Sequence, residues 1–280
     1  MSGFFDDASG DKLSGDNLTG GGRSRRQVML IGGAVAVAAA AGGLLPDLAR
    51  AATTGEAAAA AAKPCEIVFA IYPGGTLLDF AGPNEILSRL PNVRVRFASP
   101  DGGPVVLENG LVFGKSERLA DIADVDIICV PGGPDLSAMM TPTMLGHVRR
   151  ISETATYVTS VCTGSIILAA SGVLKGRRSA CHWAALNLLK PYGAIPDPAR
   201  IVRDGRFMSG GGVTAGIDFG LALAAEIRGE TAAQEMQLLV QYDPQPPFHA
   251  GHPADAPPQI RDAVFAMLPG SKDGLMRLKL

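Results

Sequence analysis

The β-forming residues Tyr157-Val158-Thr159-Ser160-Val161 run directly into Cys162-Thr163-Gly164-Ser165, and Ile166-Ile167-Leu168-Ala169-Ala170 then opens a helical pattern. A buried strand that turns sharply into a helix lifts one side chain out of the sheet and sets it over the helix N-terminus. Cys162 holds that place. The partial positive charge of a helix N-terminus favours a thiolate, so Cys162 is expected to be a nucleophile. Cys65 and Cys129 lie in or beside apolar strands and are expected to be core residues. Cys181 is open to two readings, a buried thiol or a partner that pairs with Cys162 in an oxidising compartment. None of the four cysteines stands in a CxxC pair or at zinc-ligand spacing.

Asp79, in Leu77-Leu78-Asp79-Phe80, is an acid among apolar neighbours in the loop expected after the first strand. Pro83 suits the first position of a helix, which leaves Asp79 several residues too early to be its cap. A carboxyl and a thiol in one dry pocket do not sit easily as two anions, so the pair is expected to hold one proton between them. A thiolate hydrogen-bonded to a neutral acid is a nucleophile with a proton donor beside it. Gly132 and Gly133 end another core strand after Pro131. Without side chains, their N–H groups can approach a developing negative charge; an ordinary tight turn is the alternative. The Thr163 N–H or hydroxyl can serve the same purpose. His182 is either the histidine of a thiol–imidazole pair or a structural residue. His249 and His252 lie in a Pro-rich tail and make only a weak case for a metal pair. Gly210 to Ala215 has a formal G-x-G-x-x-A spacing. It falls late in the chain with no acidic strand end about twenty residues on, so it is read as a tight strand-to-helix turn, not a dinucleotide site.

The elements that must position these residues alternate. Glu66 to Ile71 and Val125 to Val130 are continuous apolar runs, suited to strands buried on both faces. Asn84 to Leu90 is expected to be a short helix closed by Pro91, and Val93 to Phe97 a half-exposed strand. Asn109-Gly110 and Asp204-Gly205 each predict a hairpin turn. Helices are expected near 144–154, 184–190, 217–227, 232–241 and 259–267. Such alternation means an α/β fold, a mostly parallel sheet with helices on both faces. Ligands of such sheets bind at the carboxyl ends of the strands. That rule selects three loops: Gly74 to Pro83, Pro131-Gly132-Gly133, and Cys162-Thr163-Gly164.

The chain has 280 residues, 47% of them hydrophobic, and a formal net charge of -2. One large globular domain with an extension fits this. The balanced charge, with no basic stripe, argues against nucleic acid as a partner. Residues 1–51 are expected to hold a disordered leader and an export signal of the twin-arginine type. Ser24-Arg25-Arg26 precedes an Ala-rich apolar run to Leu45, and Ala49-Arg50-Ala51 offers small residues for cleavage. An uncleaved membrane anchor is the alternative. Residues 52–64 are expected to be a linker and 65–280 the folded domain, working in the periplasm or outside the cell.

Several of these segments carry a resemblance. Leu-Asp79-Phe-Ala-Gly-Pro, Val130-Pro-Gly-Gly133, Ser160-Val-Cys162-Thr-Gly-Ser165, Ser179-x-x-His182-Trp183 and Ser209-Gly-Gly-Gly-Val-Thr-Ala-Gly-Ile-Asp218 occur in the order seen in the PfpI and class I glutamine amidotransferase-like superfamily. The chain resembles its isonitrile-hydrating branch, including the tail Gln241 to Phe248, over about residues 66 to 265. The resemblance implies a flavodoxin-like three-layer α/β sandwich, usually a homodimer, acting on a small molecule with no cofactor or metal. It implies catalytic roles for Cys162, Thr163 and Asp79. Sister groups with the same motifs include the amidase-like domain of AraC-type regulators, so a redox-sensing or ligand-binding module, glyoxal hydration and amide hydrolysis are the alternatives. The export signal departs from the family's familiar cytoplasmic setting.

Overall fold

The computed structural model describes residues 62–268. The expected leader, export signal and most of the linker lie outside the described residues. Among the described residues, no helix is long and apolar enough to cross a membrane.

The first strand, β1 (Cys65–Ala70), shows why the sheet forms. Its side chains alternate between two faces, and both faces are apolar. Ile67 and Phe69 enter one buried cluster, while Val68 and Ala70 enter the other. A strand with no polar face can only lie inside a sheet covered on both sides. The further strands are β2 (Val93–Ser99), β3 (Gly103–Val106), β4 (Val112–Arg118), β5 (Ile127–Val130), β6 (Tyr157–Val161), β7 (Arg178–Ser179), β8 (Ile195–Pro196), β9 (Ile201–Asp204) and β10 (Phe207–Gly210). Eight of them form one sheet in the order β3-β4-β2-β1-β5-β6-β10-β9, and β7 pairs with β8 apart from it. All pairings inside the large sheet are parallel except those of β3 with β4 and of β9 with β10. The two antiparallel ends are the hairpins that Asn109-Gly110 and Asp204-Gly205 predict. The flavodoxin-like α/β class expected from the sequence is the class found.

Strand order reverses beside β1. The chain leaves β1 for β2 on one side and returns to place β5 on the other. At such a switch point the connections depart to opposite faces and leave a crevice beyond the carboxyl ends of the two strands. The turns after β1, β5 and β6 all open there.

The helices are α1 (Leu77–Leu87), α2 (Pro142–Thr154), α3 (Gly164–Ala170), α4 (Ala215–Arg228), α5 (Glu230–Leu239) and α6 (Pro258–Met267). Two expectations need correction. The first helix begins at Leu77, so Asp79 lies in its first turn and Pro83 lies inside it. Proline cannot donate to the Asp79 carbonyl four residues back. Tertiary packing offsets that loss: Pro83 sits against Gly216 and Gly220 of α4, where an added methyl would come within 3.2 and 3.0 Å of it. The smallness of the two glycines lets the helices approach at the proline. Phe80 anchors the same helix edge-on to Phe97 and Phe113, with ring centroids 5.9 and 5.8 Å away. The second correction concerns 184–190, which forms a 3-10 stretch over Leu186–Tyr192 with Pro191 inside it. Gly193, at φ 77°, closes it.

Gly164 fixes how closely α3 meets the sheet. A Cβ there would lie 2.0 Å from the Val130 carbonyl oxygen, a backbone atom that cannot rotate away. Gly164→Ala is therefore expected to cost about 3 kcal/mol or more of stability. Gly146→Ala, inside α2 with nothing within 4 Å of the added methyl, should stabilise by roughly 0.5–1 kcal/mol. Thermal unfolding of the two variants beside the parent chain reads both signs.

Candidate active site

Cys162 is the first residue past β6 and has φ 58°, a conformation disfavoured for side chains with a Cβ. Its N–H donates to the Gly210 carbonyl at 3.1 Å, which continues the β6–β10 ladder into the turn. The sharp elbow inferred from the sequence is present. The side chain is 5% exposed, yet it is not enclosed by hydrocarbon alone, because Asp79 and Thr163 both act on the sulfur.

Asp79 is fully buried. Its Oδ2 accepts the Gly132 N–H at 2.8 Å, across a sequence separation of 53. Its Oδ1 is buried without a hydrogen-bond partner among the described residues. Burial raises the Asp79 pKa to about 7, and the Gly132 N–H and the Cys162 thiol draw it back. Burial also pushes the Cys162 thiol well above its ordinary range, and the nearby Asp79 charge adds to this. The expectation of a resting thiolate is corrected here. Helix α3 is only seven residues long, and desolvation outweighs what its N-terminus contributes. Burial holds protons on both groups, and the Asp79 charge adds to the rise at Cys162, so a single proton is left on the pair only above the Asp79 value of about 7.

Thr163 begins α3 without capping it. Its Oγ1 donates to the Gly133 carbonyl at 2.8 Å and accepts the Gly133 N–H at 2.9 Å. The one hydroxyl proton is thus committed, which leaves the Thr163 N–H as the donor that favours the thiolate. Gly132 and Gly133 have no N–H free for an oxyanion in this arrangement, because one is given to Asp79 and the other to Thr163. They clamp the two residues beside the sulfur instead. An added Cβ at Gly132 would meet the Thr163 nitrogen at 2.5 Å and Asp79 Oδ2 at 2.9 Å, so only glycine allows the three loops to meet.

His182 is half-buried, and burial lowers its pKa. Its Nδ1 accepts a long bond, 3.4 Å, from the Ala184 N–H. Among the described residues, no hydrogen bond joins it to Cys162. The ring borders Gly212 and packs on Trp183, which Phe265 of α6 approaches in turn. All four cysteines are free thiols, so the Cys162–Cys181 pairing is not the arrangement found. Phe80, beside Asp79, is buried in the aromatic core with Phe97 and Phe113. His249 and His252 are exposed on the tail.

Tyr72, just past β1, escaped the sequence reading. It is fully buried, and its hydroxyl has no partner among the described residues. That hydroxyl lies 3.2 Å from where a Cβ on Gly133 would sit. Tyr-Pro-Gly-Gly reads as turn chemistry, and only the return of β5 brings Gly133 to the hydroxyl.

The raised Asp79 pKa makes stability depend on pH. The unfolded chain releases this proton near 3.8 and the folded chain near 7, so the folded state binds more protons between those values. Stability is fully present below the lower value and is lost as pH rises through the upper one, by up to about 4 kcal/mol. Asp79→Asn, whose amide oxygen can still accept the Gly132 N–H, should flatten that part of the profile. Urea unfolding at several pH values between 4 and 8.5 measures it, and parallel profiles for the two proteins would contradict the assignment.

With this geometry established, comparison with known proteins places the chain. A profile of the DJ-1/PfpI family matches residues 65–226. The chain is 43% identical over 198 residues to the isonitrile hydratase of Pseudomonas putida, covering 70% of this chain and 87% of that protein. It is 29% identical to the transcriptional regulator CdhR of Pseudomonas aeruginosa, over 60% of this chain and 52% of the regulator. Among solved structures, a ThiJ/PfpI family protein of Pseudomonas syringae superposes with a TM-score of 0.72 at 35% identity, over 81% of this chain and 92% of that one. The fold, the ordered motifs and these matches agree: the chain belongs to the DJ-1/PfpI family.

Proposed function

We propose that the protein hydrates isonitriles, converting R–N≡C and water to an N-substituted formamide, with Cys162 as nucleophile and Asp79 as proton donor. The observation that carries this reading is the buried carboxyl beside the buried thiol at the switch point, in a chain so similar to an isonitrile hydratase. The terminal carbon of an isonitrile holds a lone pair and accepts a nucleophile only as it gains a proton. A thiolate that attacks while a neutral acid protonates the same carbon meets both needs in one step. The sulfur–carbon bond forms, the Asp79 proton goes to carbon, and R–N=CH–S–Cys162 results. Water then adds to that carbon, with one of its protons going to nitrogen and the other returning to Asp79. Collapse of the tetrahedral adduct breaks the carbon–sulfur bond and releases R–NH–CHO.

The Thr163 N–H holds the thiolate during attack and departure. Gly132 and Gly133 set Asp79 and Thr163 at fixed distances from the sulfur, and His182 and Trp183 border the same end of the sheet. The reactive tautomer carries one proton on the pair, on the carboxyl with the sulfur ionised. That charge state forms once the first proton leaves, near the Asp79 value of about 7.

Rates measured with a small alkyl isonitrile should therefore rise with pH through about 7 and hold until the thiol's own, much higher, ionisation. Cys162→Ala should abolish turnover, and Asp79→Asn should lower kcat by about 10²- to 10⁴-fold. Formamide production by Cys162→Ala at the parent rate would exclude the mechanism. Binding of the isonitrile with no turnover by the parent chain would favour a sensing module, and turnover of methylglyoxal or glutamine in its place would favour another reaction of the superfamily.

The arginine pair and apolar run of residues 24–45 support a site of action outside the cytoplasm. Fractionation of cells expressing the full chain, with the recovered protein weighed by mass spectrometry, tests export and cleavage together. Protein of full-length mass confined to the cytoplasm would refute both.

A further inference from the structure

Cys162 keeps a backbone conformation that its own Cβ disfavours, and such a conformation persists only where the surroundings over-determine it. Two hydrogen bonds hold the residue. Its N–H donates to Gly210 within the sheet. Its carbonyl would ordinarily accept the N–H of residue 166 as α3 begins, but the Ile166 N–H turns back to the Thr163 carbonyl at 2.9 Å. The Cys162 carbonyl is taken instead by a side chain, Ser165 Oγ, at 3.0 Å. Ser165 is fully buried, so water does not replace it.

We propose that Ser165 is a positioning residue for the nucleophile: its hydroxyl, bonded to the Cys162 carbonyl, locks the elbow and so aims the sulfur at Asp79 and the Thr163 N–H. The proposal rests on Cys162 being the reactive thiol of the proposed function, and is independent of which substrate that thiol attacks. Ser165 touches no reacting atom and acts only through the backbone of Cys162. Loss of its hydroxyl leaves a buried carbonyl without a partner, and the residue at φ 58° relaxes toward an ordinary conformation that turns the sulfur from its partners.

The test is the rate at which iodoacetamide modifies Cys162, followed by mass spectrometry of the peptide that carries it, from pH 6 to 10. Ser165→Ala should fold, label Cys162 about tenfold more slowly than the parent chain, and show a displaced pH profile. Ser152→Ala serves as control, because Ser152 is also buried yet its hydroxyl has no partner among the described residues; it should leave labelling unchanged. If Ser165→Ala does not fold, Ser165→Cys, close in size and a weaker donor, carries the same comparison and should fall between. A folded Ser165 variant that labels at the parent rate with the parent pH profile would overturn the proposal. A labelling difference in a protein that turns over no isonitrile would leave the role of Ser165 standing and remove the hydratase reading alone.

Discussion

Three loops meet at the carboxyl end of this sheet with less than a methyl group of room between them. Gly132 gives its N–H to Asp79, Gly133 both gives to and takes from Thr163, and Gly164 rests almost on the Val130 carbonyl. Each of these contacts is backbone against backbone or backbone against a short polar side chain. None can be made by residues with a Cβ in the same place. The closeness turns a generic switch-point crevice into a site where a carboxyl, a thiol and an N–H donor converge. The Pro83–Gly216–Gly220 packing is the same device used once more, and it holds α1, and with it Asp79, against α4.

That closeness has an electrostatic consequence. A carboxyl with one oxygen bonded to an N–H and the other left bare in a dry interior is costly as an anion, and a thiol beside it is costly as a second one. Burial therefore favours keeping protons on the pair, the first leaving near the Asp79 value of about 7. In the proposed mechanism, reactivity comes from where a proton can move, from sulfur to carboxyl, and not from a cysteine whose ionisation is easy in isolation. A helix N-terminus can lower a cysteine pKa, but a short helix does not overcome full burial next to an acid. Attack coupled to proton delivery is the chemistry proposed for such a pair, its single negative charge passing from sulfur to carboxyl.

Relatives named as a hydratase and as transcriptional regulators align with this domain. The scaffold therefore does not decide the activity. In this chain the scaffold carries Asp79, Cys162 and Thr163 clamped by two glycines, with a tyrosine hydroxyl that has no partner among the described residues and a serine-held elbow around them. Regulators matched over about half of their length have as much chain again in which to use such a domain differently.

Much of the architecture was written in local pattern. Strands apolar on both faces demand a covered parallel sheet, Asn-Gly and Asp-Gly place the hairpins, and a β-run ending at Cys-Thr-Gly marks the elbow. Those signals survive because period and turn chemistry act between near neighbours. Other features depend on residues far apart in the chain. Pro83 reads as a helix start until Gly216 and Gly220 come against it and allow a proline inside the helix. Gly132 and Gly133 read as free donors until Asp79 and Thr163 arrive to accept their hydrogen bonds. Tyr72 reads as part of a turn until β5 returns beside it. The charge state of Cys162 follows the same division: residue type makes a thiolate conceivable, but burial and the neighbouring acid are properties of the assembled core, and they decide which atom keeps the proton.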